Sequence, residues 1–196
     1  MTPNFSAVAR YVFNLLEKDL DEKLYYHGVH HTRDDVLPAA ERLATLAGVS
    51  GEDLLVLQTA ALFHDTGYLR QYHNNEPMGV EIAREILPSF GYDTTIIDRV
   101  EPLILATNLS VGPKTFLEEL LCDADLDSLG REDFFVVGHT YRRELLARGE
   151  SFTLREWYER QEKFLSGHQY HTDVARQLRD RQKERNLEEV RGLLHR

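Results

Sequence analysis

Three features of the sequence predict an all-α fold. Apolar residues recur at three- and four-residue spacing along nearly the whole chain, period-two runs of β-branched residues are almost absent, and Gly- or Pro-bearing breaks cut the remainder into helix-length pieces.

Taken in order, residues 4–24 read as the first helix, stopping short of Gly28, and residues 31–47 as the second, ended by the break from Gly48 to Gly51. The apolar run LLVLQTAALFHD fills the third, residues 51–66, which Gly67 closes. Beyond the irregular stretch from Gly67 through Pro77, residues 78–88 form the fourth helix, stopped by Pro88 to Gly91. The fifth, residues 93–106, starts at Asp93 or Thr94, and Pro102 inside it predicts a kink or a break. The sixth, residues 114–129, follows the turn from Asn108 to Pro113, and Gly130 separates it from the seventh, residues 131–148. Thr153 with Glu156 three residues later is a capping box opening the eighth, residues 153–166. After Gly167 the last helix covers residues 170–194. From Arg176 onward it is rich in both charge signs, so a solvated helix is expected there, with a partner-binding arm as the alternative.

Composition bounds the function. With 33 acidic against 23 basic residues and a formal charge of −10, the average field repels nucleic acid and anionic lipid. A small anion binds only where local cations or a metal reverse that sign. Cys122 is the lone cysteine and has no internal partner, the N-terminus lacks a signal-peptide pattern, and the apolar run Leu54 to Phe63 is too short for a membrane span of ~20 residues. A single, soluble, cytoplasmic domain over residues 1–196 is expected, with no nucleic-acid or membrane partner; a homodimer is left open.

The chemistry centres on His64-Asp65. Neighbours on a helix diverge by about 100°, so both reach one ion only near a helix end, which Gly67 supplies. A carboxylate in so apolar a setting is costly unless a cation offsets it; mutual capping by the pair is the plainer alternative. Two further segments add donors. Tyr26-His27-Gly28-Val29-His30-His31-Thr32 brings three histidines to a helix start, and Leu120-Leu121-Cys122-Asp123-Ala124-Asp125-Leu126 brings two carboxylates to an apolar helix. Three separate helices thus offer the mixed His/Asp set of a catalytic divalent metal.

In the order YHGVHHT, ALFHDTGY, LLCDADLDSLG, these segments resemble the HD superfamily of metal-dependent phosphohydrolases, whose pattern is a His, an adjacent His-Asp and a later Asp. The resemblance covers about residues 25–130, implying an HD-type helical core with a C-terminal helical extension over about residues 131–196. It implies His31, His64 and Asp65 as metal ligands, completed by Asp125 or, as the alternate, Asp123. About 200° separates those two aspartates on a helix, and Asp125, among Leu121, Cys122 and Leu129, is favoured. Asn75 and Thr107 stand where two-metal families carry histidines, so one ion is expected. Mn, Mg, Co, Fe, Ni and Zn are not distinguished. Tyr68 replaces a lysine that several members place after the His-Asp motif.

The implied reaction is hydrolysis of a phosphoester or phosphoanhydride bond in a small phosphorylated molecule, a nucleotide being the leading class, by metal-activated water. Asp65 accepts or orients the water's proton and His27 is the candidate acid. Lys114, Arg142 and His171 are candidate substrate contacts. Two other readings remain: a metal- and nucleotide-binding sensor without turnover, and oxidative chemistry at iron, against which the missing histidines argue.

Overall fold

A computed structural model of the chain describes residues 2–195. Among them there is no strand. Nine α-helices run α1 Phe5–Asp19, α2 Leu37–Leu46, α3 Gly51–Phe63, α4 Glu76–Ile86, α5 Thr94–Ala106, α6 Phe116–Asp125, α7 Phe134–Ala147, α8 Leu154–Gly167 and α9 Asp173–Leu194. Among the described residues no helix is long and apolar enough to cross a membrane.

The helix α3 is apolar on all sides, which fits a helix enclosed by others. It packs against α1, α2, α4, α5 and α6, and its residues Val56, Leu57 and Ala60 through Phe63 are fully buried. One core runs from Val8 in α1 to Val190 in α9. Local chemistry sets the helix starts: Asn4, Asp93, Thr115 and Thr172 each accept from a backbone N–H of the first turn, and Thr153 with Glu156 forms the expected capping box.

Departures from the sequence reading have local causes. The first helix stops at Asp19, not residue 24, because Leu20 is extended and the Asp21 carboxylate accepts from Lys23 N–H at 2.9 Å, closing a tight turn. The sixth ends at Asp125, and a separate 3-10 turn, Asp127–Gly130, follows. Pro102 does not interrupt α5. Ahead of α2 the chain makes a π-helical turn, His31–Val36, in which Leu37 N–H reaches back to Thr32 O.

The charged last helix is docked, not free in solvent. Arg179 makes two bonds of 2.8 Å to the Asp127 carboxylate, while Asn186 Nδ2 donates to the carbonyls of Leu129 and Arg131, both at 2.9 Å. Its inner face mixes the core residues Ala175 and Val190 with polar groups that are satisfied, and hydrophobic periodicity cannot reveal the polar part. Backbones meet closely there: a Cβ on Gly130 would lie 2.6 Å from Arg179 O.

Candidate metal centre

His31 begins the π-helical turn, His64 caps the C-terminus of α3, Asp65 follows in a non-helical conformation, and Asp125 is the last residue of α6. The helix stops between His64 and Asp65, so both side chains turn to one point despite being adjacent. Thr66 Oγ1 donates to Phe63 O at 2.8 Å and holds this ending.

The donor atoms converge. His31 Nε2 lies 3.0 Å from Asp125 Oδ1 and 3.7 Å from Asp65 Oδ2, and His64 Nε2 lies 3.3 Å from Asp65 Oδ2 and 3.5 Å from Asp125 Oδ1. Donors bound at ~2.1 Å to one ion in tetrahedral or octahedral arrangement sit roughly 3.0–3.4 Å apart, close to the separations found. His64 Nδ1–H donates to Ala61 O at 2.8 Å, which turns the Nε2 lone pair inward. His64 Nε2 and Asp65 Oδ2 are buried, and neither has a hydrogen bond of good geometry. Two orphaned buried atoms aimed at each other, flanked by a third and fourth donor, fit a divalent cation.

Charge within the cluster sets the direction in which its members titrate. Burial works to lower the His64 pKa, but Asp65 and Asp125 beside it prevail and hold it well above the usual value. Burial works to raise the Asp65 and Asp125 carboxyls, and the neighbouring histidines prevail, keeping both below the carboxylate range.

Asp123, two residues before Asp125, points the other way. Its carboxylate accepts from His171 N–H at 2.8 Å, Thr172 N–H at 2.9 Å and Thr172 Oγ1 at 2.7 Å, tying α6 to the start of α9. The two aspartates therefore divide their work, one in the cluster and one in the fold.

A cavity of about 640 Å³ opens from Asp65, Asp125 and His27 toward Trp157 and Phe164, a size usual for small-molecule sites. Its walls carry the rings of Tyr26, Tyr68, Tyr72 and Tyr141. Asn75 and Thr107 line it as well. Of the expected substrate contacts, His171 lies on an adjoining hollow, whereas Lys114 and Arg142 line neither space. Trp157 and Phe164 of α8 also face the cavity.

Sequence reasoning missed Glu144. Fully buried on α7, it accepts from His27 Nδ1 at 2.6 Å, from the N–H groups of Tyr26 and His27 at 2.8 and 3.0 Å, and from Tyr72 OH at 3.2 Å. Burial alone would lower the His27 pKa, yet the bond to Glu144 and the charge of Asp65 raise it; burial would raise Glu144, yet His27 lowers it. A signal existed: Glu144 follows Tyr141 by three residues and adjoins Leu145, a carboxylate on the inward stripe of α7.

Comparison with known proteins agrees with this geometry. Residues 34–129 match the HD domain family, a span that contains His64, Asp65 and Asp125 and begins three residues after His31. A crystal structure of a predicted HD superfamily hydrolase from an uncultured Thermotogales bacterium has the same fold, with a TM-score of 0.64, 20% identity, and coverage of 95% of this chain and 91% of that one. No curated protein matches the chain. Helix order, the converging His and Asp side chains and the family match lead to one assignment: residues 34–129 are an HD domain, and His31, His64 and Asp65 are the candidate metal ligands.

Proposed function

We propose that the chain hydrolyses a phosphoester or phosphoanhydride bond of a small molecule, a nucleotide being the leading class, with one divalent ion held by His31, His64, Asp65 and Asp125. The observation that carries this reading is the pair of buried, unpartnered atoms, His64 Nε2 and Asp65 Oδ2, facing His31 and Asp125 beside a ring-lined cavity. A bound divalent ion supplies Lewis acidity toward a phosphoryl oxygen and acidifies water at neutral pH.

The protein's own groups do the rest. Asp65 borders the cavity and is placed to accept or orient the proton of attacking water. His27 lines the same wall with Nδ1 fixed to Glu144, and Nε2 has no hydrogen-bond partner among the described residues. That atom is the proton donor to the leaving oxygen. Glu144 is a positioning residue, since it fixes the ring and favours its protonated form. Among the described residues Arg160 is the only Arg or Lys lining the cavity, and it donates to Glu150 at 2.7 Å, so apart from His27 no free cationic side chain awaits the phosphate there. This observation favours the second reading, a binding module without turnover.

Assaying phosphate release from aryl phosphates and a nucleotide panel with manganese, cobalt or magnesium separates the two. The hydrolase reading predicts turnover that Asp65→Ala loses; metal-dependent thermal stabilisation by a nucleotide with no product supports the sensor. Within the hydrolase reading, His27→Asn lowers kcat/KM by about 10²–10³-fold for alkyl phosphates, whose leaving oxygen needs a proton, and by under about tenfold for 4-nitrophenyl phosphate. Equal losses across a leaving-group series would show that His27 is not the acid.

A further inference from the structure

A second, more open hollow of about 790 Å³ adjoins the cavity and shares Leu109, Arg160 and Phe164 with it. The two differ in charge. The inner cavity carries Asp65, Glu76, Asp125 and Glu150, and its only Arg or Lys, Arg160, is paired with Glu150. The outer hollow carries Arg160, Lys163 and Arg176 and no carboxylate, in a chain of formal charge −10. Lys163 is exposed, with no ion pair among the described residues. Arg176 is braced by the carbonyls of Tyr170 and His171, both at 2.7 Å, and by Asp173 at 2.6 Å. His168 adds no charge, since burial, with Lys183 beside it, pushes its pKa down to about 4. Between the metal cluster and these cations the wall is apolar and aromatic, with Phe134, Trp157 and Phe164 along it.

We infer that the site takes an elongated ligand with two anionic ends: the reacting phosphate at the His31, His64, Asp65 and Asp125 cluster, a flat or apolar middle along Trp157 and Phe164, and a second anionic group against Lys163 and Arg176. The identity of the reacting end rests on the proposed function; the basic outer hollow does not. In the inner cavity a metal and His27 serve the reacting phosphate and no free Arg or Lys is left for a second anion, which finds an unpaired cation in Lys163 of the outer hollow. The contact is solvent-exposed, which makes it modest and salt-dependent.

The test is calorimetric titration of the manganese-loaded full chain with naphthalene-2,6-diyl bisphosphate, which holds a flat apolar ring between two phosphates, and with 2-naphthyl phosphate, which has one. The bisphosphate is expected to bind about tenfold more tightly at low ionic strength, with the advantage shrinking toward ~1 M salt. Lys163→Glu removes most of that advantage and leaves the monophosphate affinity within about twofold. Equal affinities, binding of neither compound, or equal weakening of both by Lys163→Glu overturns the inference. Phosphate release from 4-nitrophenyl phosphate, followed separately on the same preparations, tests the hydrolase reading alone, so the two fail independently.

Discussion

Asp125→Asn is expected to lower kcat/KM by about 10³-fold or more and to abolish stabilisation by divalent metal. The activity figure follows from the several kcal/mol a metal contributes to charge stabilisation in the transition state, each ~1.4 kcal/mol being tenfold in rate. Stabilisation offers a second readout: at a metal concentration of ~100 times Kd, binding is worth about 2.7 kcal/mol, or roughly 5–10 °C in Tm for a chain of this size. Asp123 supplies the contrast. It is buried away from the cluster, and Asp123→Ala leaves two backbone N–H groups and the Thr172 hydroxyl without an acceptor. At about 1–3 kcal/mol for each group stranded, partly relieved by water, that variant loses about 3–5 kcal/mol of stability. It keeps its metal-dependent rise in Tm. Thermal melts of both variants, with and without manganese, check the division; the same metal response in both would refute it.

Gly67→Ala is expected to be the most damaging small substitution near the site, destabilising the protein by about 3–5 kcal/mol and weakening metal binding at once. A Cβ there would sit 1.8 Å from Asn75 O and 2.9 Å from Gly79 N. Backbone, not a flexible side chain, occupies the space, so the segment around Asp65 or the start of α4 must shift. Denaturant unfolding together with metal titration reads both effects. Near-normal stability and metal affinity would mean that the two backbones do not approach this closely.

Much of the cluster was legible because its donors stand in local patterns. His64 and Asp65 are adjacent at the end of an apolar helix, and His31 follows two other histidines at a helix start. Asp125 was harder, since Asp123 sits in the same helix and is the more buried of the two; only the tertiary contact of Asp123 with His171 and Thr172 separates them. Glu144 was illegible as a partner of His27 because the two stand 117 positions apart, and no local period encodes that meeting. The last helix misled for a different reason. Beside Ala175 and Val190, its docked face carries buried Lys183 and Asn186 and half-buried Arg179, polar groups that must be paired, and a reading based on apolar spacing assigns such a face to solvent.

The most direct measurement is anomalous scattering from a crystal of the full chain soaked in manganese. A single strong peak within coordination distance of His31 Nε2, His64 Nε2 and carboxylate oxygens of Asp65 and Asp125 is the predicted result. A peak placed elsewhere, or none among these four side chains while the ion is demonstrably bound, would contradict the assignment.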